Sequence, residues 1–336
     1  METENPKTGK YVVIGDLCMD VFMQVDAYPA AGGDGIGRMM HQSTGGSAAN
    51  TAIGLAKLGG KPALLTHSGV DIWAEQMLPI LQNAGVATER IIQEVGEASG
   101  LTFAVVSGNA ERTLFTYRGA NRNLQPDEID ILLFQGTDFL HISSYACLDS
   151  PQTDAVLKAV HLAVAHATQV SLDVGVEPAS QARDMILQLM PLLALIILGK
   201  EEALELTQAS SLTEAINELL LTGVKLIALK LGKDGCRLIS SIEDVDIPGF
   251  AIEAVDTTGS GDAFCAGMIH GLTQDWPLEE CGLFANALGA IVASQWGAGE
   301  NMPYLKEGYE FLSLKLKDMP NKVLSKLVKK LGNGLG

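Results

Sequence analysis

Short apolar runs alternate with amphipathic segments for most of the length, and that rhythm limits the fold more than any other feature of the chain. The runs YVVIG (11–15), ALLTHSG (63–69), FLHIS (139–143), VSLDV (170–174), LALIILG (193–199) and KLIALKLG (225–232) have the length and near-continuous hydrophobicity of buried strands. Between several of them lie helical patterns, such as TDAVLKAVHLAVAHA (153–167) and SLTEAINELLLTG (211–223). The alternation predicts βαβ units: an α/β fold of three layers, with a mainly parallel central sheet covered by helices on both faces. No internal repeat and no proline- or glycine-rich linker divides the 336 residues, so one large domain is expected. One segment breaks the rhythm. LTFAVVSGNAERTLFTY (101–117) sets two β-rich runs around Ser-Gly-Asn, a hairpin pattern that is either an edge decoration or a lid over a ligand crevice.

Hydrophobic residues make up 47% of the chain, ample for a buried core, and only residues 1–10 and 332–336 read as loose. The net charge of −17 argues against nucleic acid as a partner, because phosphate backbones require basic surface. That charge is uneven. From Lys306 onward seven lysines face three acidic residues, which leaves −21 on the preceding part. The five cysteines (18, 147, 236, 265, 281) include no CxxC pair and suit reduced thiols in a cytoplasmic protein better than disulfides or a zinc site. No apolar core of a secretory signal is present at the N-terminus. The longest apolar tract, MILQLMPLLALIIL (185–198), is too short for a bilayer and reads as a helix end followed by a buried strand.

Two glycine clusters carry the chemistry. DTTGSGDAFCAGM (256–268) places Gly259, Ser260 and Gly261 before a helical run, with Asp262 at the junction. Unpaired N–H groups at a helix start attract anions, and glycines let a phosphate approach them closely. The same residues also suit an ordinary capped helix with a first-turn acid. Neither GxxxxGK[ST] nor GxGxxG is present, so a bound nucleotide needs another phosphate scheme. TGGSAANTAIGLAKLGG (44–60) opens a second helix at Gly45-Gly46 with Asn50 one turn in, and GDLCMD (15–20) brings Asp16 and Asp20 to the end of the first strand. Carboxylates and an amide suit several hydroxyl groups of a ligand; turn capping is the plainer reading.

In order along the chain, these residues resemble the ribokinase-like (pfkB) carbohydrate kinase family over nearly the whole length. DTTGSGDAF (256–264) is similar to that family's C-terminal signature and GGSAANTAIGLAKLG (45–59) to its N-terminal one. The strand end at 15–20, LGKDG (231–235) and FANALGA (284–290) follow in the expected order. The resemblance implies a ribokinase-like domain over 10–320, a small β-sheet lid from segments near 21–44 and 100–119, and a basic C-terminal helix or tail at 321–336.

By the same resemblance Asp262 is the general base that takes a proton from a sugar hydroxyl attacking the γ-phosphate of ATP. Gly259, Ser260 and Gly261 form the anion hole; Asp20, Gly45, Gly46 and Asn50 bind the acceptor; Lys230, Gly232, Gly235 and Asn286 approach ATP. Glu202 orders Mg2+ through water. Asp256 and Thr258 are the candidates for a monovalent cation such as K+. Three departures stand out: Gly199 replaces the asparagine of the family's N-x-x-E motif, Cys18 stands two before Asp20 in place of a polar asparagine, and Ser47 stands where some phosphosugar enzymes carry lysine. Arg112 and Arg118 are assigned to the inner face of the lid or to a solvated strand face. A homodimer through the lid is implied.

His161 and His166 lie off one helical face and read as surface or packing residues; Cys265 reads as packing. KVLSKLVKKLGNG (322–334) is amphipathic and suits a membrane or a partner, with docking against the body preferred. Three functions are compatible with the sequence: a kinase acting on a free sugar or sugar acid, a nucleoside (adenosine-type) kinase with Phe22, Phe115 or Tyr117 stacking a base, and a binding protein without catalysis.

Overall fold

The computed structural model describes residues 7–107, 112–318 and 321–335. Its strands, in chain order, are β1 (Lys10–Ile14), β2 (Cys18–Val25), β3 (Gly37–Gly45), β4 (Lys61–Gly69), β5 (Ile91–Glu94), β6 (Gly100–Val106), β7 (Arg112–Tyr117), β8 (Phe139–Ser143), β9 (Gln169–Asp173), β10 (Leu195–Gly199), β11 (Ile227–Lys230), β12 (Gly235–Ile239) and β13 (Asp244–Pro248). The helices are α1 (Ser47–Lys57), α2 (Ile72–Ala84), α3 (Gln152–Ala165), α4 (Val176–Gln181), α5 (Arg183–Leu189), α6 (Lys200–Thr207), α7 (Leu212–Leu221), α8 (Ser260–Thr273), α9 (Leu278–Ala293), α10 (Leu305–Asp318) and α11 (Lys322–Gly334).

Nine strands form the main sheet in the order β13-β12-β11-β10-β9-β8-β1-β4-β5. From β11 to β5 every pairing is parallel, and β12 and β13 add antiparallel strands at one edge. Strands buried on both faces read as the apolar runs found in the sequence. Within β1, Tyr11 and Val13 join one core with residues of α1, α2 and α8 to α11, while Val12 and Ile14 join a second with residues of α3 to α7. The expected three layers follow from that alternation. All six expected strands are present. Leu193 and Ala194 fall outside β10, because a 3-10 turn with Pro191 at its second position leads into the strand.

A separate four-stranded sheet, ordered β3-β2-β6-β7, projects from the main body as a lid-like layer. The hairpin expected at 101–117 supplies β6 and β7, which pair antiparallel. The Gly-Asn part of its turn and the side chain of Arg112 lie outside the described residues. The edge strands β5 and β13, and β12 next to β13, were not legible as apolar runs. β13 (DVDIP) is mostly exposed, and its acids and proline suit a sheet edge that must not pair further.

At the C-terminal end, α11 buries Leu324, Leu327 and Leu331 in the same core as α9. Lys330 pairs with Glu280 and lies 5.3 Å from the Trp276 ring centroid. Among the described residues no helix is long and apolar enough to cross a membrane.

Candidate active site

The C-terminal ends of the parallel strands and the N-termini of α1 and α8 meet beside the small sheet. Gly46 is the N-cap of α1 at φ 91°, a conformation glycine adopts without strain, and a Cβ there would come 2.3 Å from the Asp16 carbonyl. The start of α1 is thereby seated on the β1–β2 connection. Asn121 locks that connection from the far side, accepting from Leu17 N at 2.8 Å and donating to Leu17 O at 3.0 Å. Across the β2–β3 ladder, a Cβ on Gly45 would strike the Asp20 carboxylate at 2.0 Å, so the acid lies flat over the glycine. Asp20 is buried, with 7% of its surface exposed.

Gly259 caps α8 at φ 77°, and Ser260 turns its hydroxyl back onto Thr257 O at 2.7 Å. Gly261 and Asp262 follow in the first turn, where backbone N–H groups have no intrahelical partner. Asn50 spans the two helix starts. Its Nδ2 donates to Asp262 Oδ2 at 2.7 Å, and its Oδ1 accepts from Gly299 N at 3.1 Å. Burial raises the Asp262 carboxyl to about 6, and the nearby charge of Asp173 adds to that effect. The Asn50 bond, the Ser47 hydroxyl and Lys230 act in the opposite direction and keep the rise in check.

Lys230, at the end of β11, donates to Asp173 Oδ1 at 2.7 Å. A Cβ on Gly261 would come 3.5 Å from its Nζ. Gly232 (φ 59°) and Gly235 (φ 101°) shape the next turn, and Asn286 Nδ2 donates to Ile247 O and Pro248 O at 3.3 and 3.2 Å. Gly235 and Asn286 thus meet at Pro248 of β13, whereas Lys230 reaches the other way, toward β9. On the Asp256 turn, Oδ1 accepts from Thr258 N and Oγ1, and Oδ2 accepts from Gly297 N.

Gly199 has a physical counterpart in Glu202. A Cβ at 199 would sit 2.3 Å from Glu202 Oε2, so the glutamate carboxylate fills the place that a side chain at 199 needs. Cys18 is buried beside Asn121, and burial followed by the charges of Asp16 and Asp20 pushes its thiol well up, which keeps it neutral.

Arg118 departs from its assignment to the lid. It follows β7 and turns inward, donating from Nε and Nη2 to both Asp16 oxygens at 2.7 and 2.8 Å and also bonding Gln152. The backbone leaves the small sheet at Tyr117, so the side chain belongs to the rim of the main sheet. Both Asp16 oxygens are thereby engaged by one guanidinium.

Strand pairing also sorts the aromatic candidates. Phe22 lies two residues from Asp20 and shares its face of β2, whereas Phe115 opposes Phe103, which opposes Val21 on the other face. Tyr117 follows Phe115 by two and shares that other face. On the Asp20 side the Phe22 and His41 ring centroids are 6.4 Å apart, and Phe22, Met39, His41 and Trp296 are among the residues that line a narrow gap of about 20 Å3. Sequence reasoning missed Asp173, His41 and Trp296. Only Asp173 had a signal, as the acid ending the run VSLDV.

The sequence profile described as "pfkB family carbohydrate kinase" matches residues 8–305. Probable fructokinase-4 of Arabidopsis thaliana is 27% identical over 318 residues, covering 90% of this chain and 96% of that protein. The 5-dehydro-2-deoxygluconokinase of Clostridium botulinum (strain Alaska E43 / Type E3) is 29% identical over 285 residues, covering 81% and 84%. Among solved structures, a fructokinase with bound ATP from Xylella fastidiosa superposes with a TM-score of 0.80 at 21% identity, over 91% of this chain and 98% of that one. Adenosine kinase from Sinorhizobium meliloti gives 0.80 at 24%, over 92% and 99%. The two helix starts, the parallel sheet and the profile match agree: this chain belongs to the pfkB family and is a carbohydrate kinase.

Proposed function

We propose that the enzyme transfers the γ-phosphoryl group of ATP to a hydroxyl of a free sugar or sugar acid, with Asp262 as general base. The setting of Asp262 carries the reading: a carboxylate aimed by Asn50, raised to about 6, in the first turn of a glycine-opened helix. Such a group is mostly ionised at neutral pH yet more basic than an ordinary aspartate. The acceptor oxygen bonds to the γ-phosphorus, the bond from that phosphorus to the bridging oxygen breaks, and ADP leaves. The acceptor's proton passes to Asp262. Backbone N–H groups at Gly259, Ser260 and Gly261 stabilise charge on the transferring phosphoryl.

Asp20, Gly45, Gly46 and Asn50 form the acceptor side of this reading, and Lys230, Gly232, Gly235 and Asn286 the nucleotide side. Glu202 suits a hydrated Mg2+: its carboxylate is partly exposed over Gly199 and close enough to support the charge of Lys230. When bound, that ion neutralises charge on the triphosphate. The Asp256–Thr258 turn is the place for a monovalent cation, and activity in K+ against tetramethylammonium tests it.

Strand pairing leaves Phe22, with His41 and Trp296 near it, as the aromatic that a nucleoside base would stack on, which keeps the nucleoside as the second reading. Relatives named for fructose and for 5-dehydro-2-deoxygluconate support a sugar or sugar acid. The outer face of the small sheet, with Met40, Phe103 and Phe115 exposed, fits a second copy of the chain, and the five free cysteines fit a reducing cytoplasm. Turnover of Mg-ATP with fructose, 5-dehydro-2-deoxygluconate, ribose and adenosine tests the assignment. Phosphorylation of adenosine alone, or full activity in Asp262→Asn, overturns it.

A further inference from the structure

We propose that Asp173 is a positioning residue that holds the Lys230 ammonium at the rim of the α8 turn, against the transferring phosphoryl group. The inference rests on the reading of Asp262 and of residues 259–261 given above.

The two residues come from strands that are not neighbours. Asp173 ends β9 and stands level with Ile197, while Lys230 ends β11 and stands level with Gly199; β10 lies between them. Adjacent strands are about 4.8 Å apart, so the lysine arm crosses the end of β10 to reach the acid. Gly199 ends that intervening strand without a side chain. The bond that results is 2.7 Å long, and the lysine and aspartate side chains keep only 22% and 10% of their exposure.

That arm points to the anion-binding turn. The position of a Cβ on Gly261 lies 3.5 Å from Lys230 Nζ, the one atom within 4 Å of it. An ammonium has three N–H donors; the bond to Asp173 engages one, which leaves donors for phosphoryl oxygens at the turn. Burial opposes the lysine charge, and Asp173 is the largest of the neighbours that act against it, Cys265 and Glu202 adding to its effect, so the pKa of the ammonium is raised overall. Around the pair stand Asp262, Glu202, the Cys265 thiol, kept neutral by burial, and His141, lowered by burial to about 4 and uncharged at neutral pH.

A structural ion pair is a weak account of this arrangement. Buried pairs contribute little net stability relative to apolar residues of the same size. Nothing in the packing requires a cation to span a strand and end at a glycine turn. Fixing a flexible lysine before the substrate arrives is, by contrast, the kind of preorganisation that phosphoryl transfer rewards.

The test is a double-mutant cycle on kcat, with ATP and ADP affinities measured by calorimetry. Asp173→Asn and Lys230→Met are each expected to lower kcat on the order of ten- to a hundredfold, with the acceptor KM within about twofold. The double variant is expected to be no worse than Lys230→Met, and Asp173→Glu to recover part of the loss. Both single variants are expected to weaken ATP binding more than ADP binding. If Asp173→Asn does not fold, the double variant, which leaves no buried charge unpaired, is compared with Lys230→Met. An additional kcat loss in the double variant, or wild-type kcat in Asp173→Asn, overturns the inference. Full activity in Asp262→Asn instead removes the reading beneath it, so the two failures are distinct.

Discussion

Asn50 donates to Asp262 at 2.7 Å while accepting from Gly299, so one amide fixes the first turn of α8 and the loop that follows α9. The bond favours the ionised carboxylate and moderates the rise caused by burial. The acid limb of the wild-type kcat/KM profile is expected near pH 6, and Asn50→Ala, which removes that donor, is expected to move it higher. A loss of kcat on the order of ten- to a hundredfold should accompany it, since the base is no longer aimed. An unmoved acid limb would separate Asn50 from the base.

Asp262 itself carries a stability cost in the free enzyme. Its folded pKa of about 6 exceeds the ordinary 3.8, so between those values the native state binds more protons than the unfolded chain. Stability from this group therefore falls as pH rises through that window and is lowest above it. Asp262→Asn is expected to stabilise the ligand-free protein at pH 7.5 by about 1–2 kcal/mol, allowing for partial solvent access, and to abolish activity. Thermal melts at pH 4 and pH 7.5 check it: the gain should shrink at the lower pH.

Arg118 and Asp16 form a largely buried pair, with side chains 10% and 7% exposed. Arg118→Met leaves the acid unpaired and is expected to cost about 3–5 kcal/mol in denaturant unfolding. Adding Asp16→Asn should return most of that loss. If the double variant is as unstable as the single one, the pair is not what holds the end of β1.

Gly259 combines φ 77° with a virtual Cβ only 2.4 Å from Ala298 Cβ. Gly259→Ala is expected to destabilise by about 2 kcal/mol and to lower kcat more than the acceptor KM, because the turn must open to admit the methyl group. Calorimetric unfolding and steady-state kinetics on the same preparation check both parts.

The strands of the main sheet were legible because burial on both faces writes a continuous apolar run, as in LALIILG. The edge strands β5 and β13 were not, since an edge strand such as DVDIP is largely exposed and reads as loop, and β12 (GCRLI) is buried but short and interrupted by Arg237. At the site, Asp262 and Asn50 were found through glycines that mark close backbone approach. Their mutual bond joins residues 212 positions apart, and no local pattern encodes it. Arg118 was misplaced for a related reason: the hairpin pattern continues to Tyr117, and the inward turn one residue later follows from Asp16, a partner 102 positions away. The Lys230–Asp173 bond crosses a strand, which becomes visible only once the strand order is known.

The strand β3 ends at Gly45 and α1 begins at Ser47, with only Gly46 between them. The small sheet and the helix that carries Asn50 are thus one lever with a single-residue fulcrum and no slack. On the proposed reading of Asp262 as base, any tilt of the sheet over an acceptor would also turn the helix whose Asn50 holds that carboxylate. Attempts to change substrate preference by grafting the small sheet from a relative should therefore carry residues 37–57 as one piece, because a cut at Gly46 severs gatekeeping from ignition.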